Sequence, residues 1–205
     1  MPRWPVALVL ALLVVLAASQ LVIPPLVEHR IESRLTEGGG SANVSVSAFP
    51  AARLLFGDGK RISVSGSGLD LPLSAPGESV FDKLDGFDRV DVSLTDFRAG
   101  PFTVSSFHLN RASDSASYDL VSSGQTTVGG LAEYGASQLG IPGGPLLGLL
   151  ANQAVGDDTP IPVRLDLSLT SDQGRVVVVS GGGTVAGYPT GPLAELITSA
   201  IAVRL

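Results

Sequence analysis

The sequence predicts an α+β protein in which an N-terminal transmembrane helix precedes a curved, mainly antiparallel sheet or elongated half-barrel with a few covering helices. Three observations lead to this fold class. An uncharged run, Trp4–Ile23, lies near the start of the chain, several later segments alternate apolar and polar residues, and a few short segments show helical spacing instead. The first pattern is typical of a membrane span and the second of half-buried strands.

The uncharged segment Trp4–Ile23 is long enough to cross a bilayer, because about 20 helical residues span roughly 30 Å. Its apolar run continues past the small residues at 17–19, where a signal peptidase would cut, and this length favours a retained anchor. A cleaved signal peptide, which would give a secreted form, and a buried core helix are the alternatives. Arg3 weakly favours a cytoplasmic N-terminus. We therefore expect a single-pass cell-membrane protein with an extracytoplasmic domain on the periplasmic or cell-wall side.

Composition excludes several classes of function. The chain has 205 residues, a net charge of −6 and no cysteine. Nucleic acid is not expected as a partner, because no basic stripe is present to neutralise phosphates. Electrostatic adhesion to anionic headgroups is disfavoured for the same reason. Without cysteine there are no disulfides and no thiolate metal sites. No cofactor is expected, and the composition does not identify a protein partner.

The chain divides into three parts. Residues 1–25 form the membrane anchor or signal sequence, 26–41 a charged helix and glycine-rich linker, and 42–205 a β-rich domain. The pair Pro24-Pro25 is predicted to end the first helix, because proline does not continue a helix interior.

The short helix predicted after the prolines has an apolar stripe. Val27, Ile31 and Leu35 recur every four residues, and charges occupy the other faces. This helix is either a solvated stalk or a helix that docks its stripe on the domain or the membrane surface. Gly38–Ser41 then forms a flexible joint.

Alternation with a period of two predicts the strands of the domain. The alternating segments are 44–48, 62–64, 69–73, 90–95, 102–109, 116–120 and 161–169. The three successive segments 90–95, 102–109 and 116–120 are separated by short connections and predict an antiparallel meander. Ser171–Gly174 is predicted to be a hairpin turn. The returning strand is apolar over Val176–Val179, so we expect both of its faces to be covered.

Helical spacing predicts the covering elements. Residues 131–139 and 146–150 form two short apolar pieces separated by glycines and prolines, and 192–205 form an amphipathic C-terminal helix. The first two are too short to span a bilayer and are expected to cover one end of the sheet.

The sequence contains few residues suited to catalysis. His29 lies beside the predicted anchor, and His108 lies on a strand with its side chain opposite to those of Phe107 and Leu109. No G-x-S-x-G elbow accompanies them, so a hydrolase triad has no support from a motif. We expect that the protein is not an enzyme.

Four aspartates recur every three residues in the segment FDKLDGFDRVD. Carboxylates bind Ca²⁺, but the spacing and the terminal glutamate of an EF-hand loop are absent. Turn capping and a solvated strand edge are simpler explanations of these four aspartates, so no metal site is expected.

The apolar face of the sheet leaves two interpretations open. A sheet closed around an apolar lumen holds an acyl chain, as small ligand-binding barrels do, whereas a packed core holds none. Periodicity does not distinguish a lumen from a filled core.

The order of these features resembles the LmeA-like family of actinobacterial cell-envelope proteins. The resembling pieces are the N-terminal span, the charged helix LVEHRIESRL, and VSVSAFPAARLLFGDGKRISVSGSGL, where strand, Phe-Pro pair, apolar piece, glycine and strand follow in order. VDVSL, TTVGGLAEYGASQLG and RLDLSLTSDQGRVVVV also fall in familiar order, whereas the helical tail departs from the family pattern. The resemblance implies a tubular lipid-binding type of fold, phospholipid binding in the cell envelope, and no catalytic residue set.

We therefore expect an anchored extracytoplasmic protein that binds phospholipid or a related lipid in an apolar groove, with a role in envelope lipid or lipoglycan maintenance. Burial would contribute roughly 0.8 kcal/mol per CH₂ group. The residues expected to line the groove share the inward face of the alternating strands: Val44, Val46, Ile62, Val64, Val90, Val92, Leu94, Val163, Leu165 and Leu167. The alternative is a structural or partner-binding envelope module with a filled core and no ligand.

Overall fold

The computed structural model describes residues 4–72, 81–130, 159–185 and 188–189, with side chains between residues 15 and 184 of these ranges. The predicted covering helices at 131–139, 146–150 and 192–205 lie outside the described residues. The described elements are α1 (Trp4–Leu35), β1 (Ser41–Ser47), a 3₁₀ helix (Ala51–Phe56), β2 (Gly59–Ser67), β3 (Asp70–Leu71), α2 (Asp82–Asp85), β4 (Phe87–Ala99), β5 (Phe102–Arg111), β6 (Tyr118–Thr126), β7 (Ile161–Asp172), β8 (Arg175–Val185) and β9 (Tyr188–Pro189).

The strands form one open, mainly antiparallel sheet, which confirms the α+β class. The strand order is β1-β2-β4-β5-β6-β7-β8-β9, and β3 also pairs with β4. The predicted meander is β4-β5-β6, and all its pairings are antiparallel. Strand β4 instead pairs in parallel with β2 and β3, which lie one after the other along the same side of β4. A parallel neighbour needs a crossover connection, and here the chain crosses to β4 through α2.

The predicted hairpin turn is confirmed between β7 and β8. Gln173 and Gly174 both have positive φ, at 53° and 78°. Positive φ at both central residues is the geometry of the two-residue turns that match strand twist. The turn fixes the register in which β7 and β8 pair.

One face of the sheet carries nearly all the buried apolar side chains, and we call it the inner face. Along β4, Val90, Val92 and Leu94 are buried, whereas the intervening residues are exposed or half-buried. Strand β7 repeats this pattern from Ile161 to Leu169. The side chains of the inner face pack with those of α1, the 3₁₀ helix and α2 into one core.

The first helix is longer than predicted. It continues through Pro24 and Pro25 to Leu35, so the prediction that the proline pair ends it is wrong. Contacts on both sides of the pair compensate for the backbone hydrogen bonds that proline removes. Before the pair, the Gln20 side-chain amide lies between the carbonyl of Ala48 and the N–H of Ala51. In the orientation that satisfies both groups, it donates to the carbonyl at 3.2 Å and accepts from the N–H at 2.8 Å. After the pair, Ile31 and Leu35 are buried in the core, so this part of the helix is docked on the domain.

Within the part of the chain that the structure describes, no helix is both long and apolar enough to cross a membrane. The predicted span, Trp4–Ile23, includes residues 4–14, whose side chains lie outside the described part.

Two glutamates of α1 cover the free edge of β1. Glu32 accepts from the backbone N–H of Val44, and Glu28 accepts from that of Val46, both at 2.9 Å. The spacings match, because four helical residues rise about 6 Å and two strand residues about 6.6 Å. Carboxylates thus take the place of a further strand, which prevents the edge from pairing with another chain.

The glycine-rich segment predicted to be a flexible joint is a tight turn between α1 and β1. Gly40 has φ +85°, and a Cβ atom there would lie 2.5 Å from the carbonyl carbon of Gly68. Only glycine combines this backbone angle with such a close approach. The turn holds α1 against β1 and fixes the direction of the helix.

Strand β8 differs from its prediction. Val177, Val178 and Val179 are exposed, so the expectation that both faces of this segment are covered is wrong. An irregularity in the β7–β8 register leaves Val179 without a partner residue. The valine run reflects the strand preference of β-branched residues and does not require burial on both faces.

Candidate functional site

An apolar groove lies between α1, the 3₁₀ helix, α2 and the start of β2. Its volume is about 540 Å³, which is within the range of small-molecule sites. We call it the α1 groove. Its lining residues come from five elements: Leu26, Val27, Arg30, Ile31 and Arg34 of α1; Leu54, Leu55 and Gly57 at the 3₁₀ helix; Ile62 of β2; Lys83 and Leu84 of α2; and Phe87 of β4.

The floor and the rim of the α1 groove differ in burial. Ile31, Leu54, Ile62, Leu84 and Phe87 are buried and form an apolar floor. They are held there because α1 and the 3₁₀ helix both pack on the inner face of the sheet. An apolar floor of this kind favours an alkyl chain over a polar ligand.

The rim of the α1 groove consists of exposed residues. Leu26 and Leu55 are its apolar members. Arg30, Arg34 and Lys83 are its basic members and are exposed as well. A groove with an apolar floor and a cationic rim complements an amphiphile whose polar end is anionic.

The structure brings all ten sequence-predicted lining residues to the inner face of the sheet. All ten are buried and belong to the same core cluster. Ile62 is the one among them that lines the α1 groove. The others pack against core side chains, so their assignment to a lipid site stays a prediction.

A second, polar cavity of about 280 Å³ is lined by Asp85, the last residue of α2, and by residues of β5, β6 and β7. Arg111 and Asp85 both line it, with 3.3 Å between the guanidinium Nη1 and the carboxylate Oδ1. The Nη2 atom of Arg111 also donates to the carbonyls of Leu84, at 3.2 Å, and of Phe87. We call these residues, with Tyr118 and Ser171, the Arg111 cluster.

The Arg111 cluster joins α2 to three strands of the sheet. The Tyr118 hydroxyl donates to Asp85 Oδ1 at 2.9 Å, and the Ser171 hydroxyl donates to Asp85 Oδ2. The guanidinium of Arg111 lies 4.6 Å from the centre of the Tyr118 ring. Because its charged members bind one another, the cluster is suited to holding α2 in place on the sheet.

Tyr118 remains protonated in this environment. Burial raises the pKa of its hydroxyl well above the usual value, the Arg111 charge acts in the opposite direction, and the Asp85 carboxylate raises it further. A protonated hydroxyl donates to Asp85 and does not act as a base near neutral pH. The role of Tyr118 is therefore to orient the carboxylate.

The remaining candidate residues are dispersed. His108 is exposed on the outer face, opposite the buried Phe107 and Leu109, as predicted. Of the recurring aspartates, Asp91 lies 3.8 Å from Arg61, and Asp82 and Asp88 are exposed. In the described ranges, no group of three or more histidine, cysteine, aspartate or glutamate residues is arranged to hold a metal ion.

Sequence reasoning missed two components of these sites. The apolar stripe of α1 was visible in the periodicity of Val27 and Ile31, but Lys83 on α2 carried no signal, since its position depends on the crossover to β4. Asp85 was one of four similar aspartates, and nothing in its local sequence distinguishes it. Its role comes from contacts with Arg111 and Ser171, which lie 26 and 86 residues further along the chain.

No family model matches the chain, and no curated protein or solved structure is matched by it. The resemblance to the LmeA-like family therefore stays a prediction.

Proposed function

We propose that the protein binds a phospholipid or a related envelope lipid, with an acyl chain on the apolar floor of the α1 groove and an anionic headgroup at its rim. The single observation that supports this proposal most strongly is the composition of that groove. Its floor is apolar, and its rim carries Arg30, Arg34 and Lys83. Apolar surface would provide most of the affinity, and the cations would select the headgroup.

In this proposal the apolar segment Trp4–Ile23 holds the chain at the cell membrane, with the sheet on the extracytoplasmic side. The sheet acts as an elongated half-barrel whose inner face supports the lipid. Holding a lipid requires no chemical step, so the protein is proposed to act as a binding protein and not as an enzyme. The resemblance noted above supports a role in envelope lipid or lipoglycan maintenance.

A structural or partner-binding envelope module is the second candidate. The burial of nine predicted lining residues within the core supports it, because a filled interior needs no ligand. The α1 groove distinguishes the two candidates, since a purely structural module would show no preference for lipid at that position.

Headgroup selection is the test of the proposal. We expect the full chain to bind an anionic phospholipid more tightly than a zwitterionic one of equal chain length. The double substitution R30Q/R34Q should weaken binding of the anionic lipid about tenfold or more, since a basic residue near an anionic surface contributes about 1 kcal/mol. Binding of the zwitterionic lipid should change little. Lipid titration followed by native mass spectrometry gives both affinities.

The matched control is R164Q, which removes an exposed arginine from the outer face of β7. It should leave both affinities unchanged. Equal binding of the two lipids to the wild-type chain and to R30Q/R34Q would contradict a headgroup site at this rim.

A further inference from the structure

Two phenylalanines are exposed at the ends of the 3₁₀ helix. Phe49, just before it, is 80% exposed, and Phe56, its last residue, is 84% exposed. Leu55 beside it is 66% exposed. We call these three residues the Phe tip. Phenylalanine is usually buried in a folded domain, so exposed phenylalanine and leucine side chains within one short segment indicate an interaction surface.

The structure holds the Phe tip in place from beneath. Ala51 and Leu54 are buried, so the short helix is anchored by one side while the other side projects. Gly57 ends the helix in the left-handed conformation at φ 80°, and its N–H donates to the carbonyl of Leu54. The Gln20 side chain ties Ala48 and Ala51 to α1. The apolar tip is thus a fixed feature of the fold.

The surroundings of the Phe tip extend its apolar surface. Leu21, Val22 and Leu26 of α1 are exposed as well, and α1 packs against the 3₁₀ helix. Leu26 and Leu55 also form the apolar rim of the α1 groove. The groove therefore opens beside the tip.

The charge around the Phe tip differs from that of the whole chain. The net charge is −6, which disfavours adhesion to an anionic surface. Arg53 within the 3₁₀ helix is nevertheless exposed, as is Arg30, which lines the α1 groove together with Leu55, and the exposed Asp58 follows the helix. Exposed phenylalanine and leucine flanked by arginine are typical of segments that lie in the membrane interface.

We propose that the Phe tip inserts into the interfacial region of a phospholipid bilayer and places the mouth of the α1 groove at the membrane surface. A second copy of the chain fits the tip less well, because a self-contact at the tip would bring the exposed Arg30 and Arg53 of the two copies together, and like charges in an interface are unfavourable. The proposal goes beyond lipid binding in the groove and does not depend on it.

Tryptophan fluorescence on the full chain tests this membrane contact. The chain has a single tryptophan, Trp4, so W4F/F56W carries one reporter at the tip. The matched control is W4F/V121W, with its reporter at an exposed valine on the outer face of β6. Both variants are reconstituted with vesicles of phosphatidylcholine and phosphatidylglycerol that carry brominated acyl chains. We expect the emission maximum of the tryptophan in W4F/F56W to shift to shorter wavelength and most of its emission to be quenched by the bromine atoms. The emission of the tryptophan in W4F/V121W should stay unchanged.

Two results would overturn the proposal. Equal quenching of both reporters would mean that the chain adsorbs without a preferred face. An unquenched F56W on a chain that still sediments with vesicles would mean that α1 alone holds the protein at the membrane, or that a second copy covers the tip. If the F56W reporter is quenched but the chain takes up no lipid in the titration above, the membrane contact is supported and the proposed lipid-binding function is contradicted.

Discussion

Replacing Arg111 by alanine is expected to cost about 3–5 kcal/mol of unfolding free energy, the cost of removing one partner from a buried ion pair. Arg111 is 5% exposed, and its guanidinium binds Asp85 and the carbonyls of Leu84 and Phe87. Without it these acceptors lose their donor. Asp85 is 31% exposed, so water partly screens its charge and the lower end of the range applies. Chemical denaturation measures the change.

The matched control for this prediction is R89A. Arg89 is exposed on β4, so its removal should change stability by no more than about 0.5 kcal/mol. The free energy of unfolding of R111K should lie between those of R111A and R89A, since a lysine keeps the charge but lacks the several N–H donors of the guanidinium that reach different acceptors. If R111A is as stable as R89A, the Arg111 cluster does not hold α2 on the sheet.

Substituting Val27 by tryptophan is expected to weaken lipid binding at least tenfold, which corresponds to a loss of about 1.4 kcal/mol or more of binding free energy. Val27 is half-buried and lines the α1 groove between Leu26 and Ile31. An indole there occupies space that an acyl chain would fill. The same Val→Trp change at the exposed Val121, on the outer face of the sheet, is the control and should leave binding unchanged. Native mass spectrometry at graded phospholipid concentrations measures both variants.

Overpacking at Val27 is expected to cost about 1–3 kcal/mol of stability, so thermal unfolding is measured alongside binding. L55W gives a second test at an exposed position on the groove rim, where added bulk does not press on the core. A folded V27W or L55W that binds lipid as the wild-type chain does would place the ligand outside the α1 groove.

The strands could be predicted from the sequence because their signal is local. Along β4 and β7 the alternation of apolar and polar residues matches the alternation of buried and exposed side chains, and the Gln173-Gly174 turn fixes one register. Alternation carries no information on which strands pair. The parallel pairing of β2 with β4 therefore had no signal in the sequence, although it brings α2 to the groove.

The course of α1 was not predictable from its prolines. Proline lowers the local preference for helix, but Gln20 on one side of the pair and Glu28 and Glu32 on the other bind β1 and the 3₁₀ helix. These tertiary contacts outweigh the local preference. The same contacts turn a predicted stalk into one wall of the α1 groove.

The candidate site was only partly predictable, for a similar reason. Periodicity assigns residues such as Val92 and Leu165 to an apolar face, and both are buried there. It does not show whether the face encloses a ligand. The groove instead depends on where α1, the 3₁₀ helix and α2 end relative to one another, and that position is set by the Gly40 turn and the Arg111 cluster.

Lipid carried through purification is the most direct measurement of the proposed function. The full chain is purified from a bacterial host, released from detergent micelles in a native mass spectrometer, and compared with V27W. The proposal predicts a phospholipid-sized adduct at nearly one per wild-type chain and its loss from V27W, with extraction identifying the lipid. A folded wild-type chain that carries no lipid and takes up none when phospholipid is added would contradict it, and would favour a structural module with a filled core.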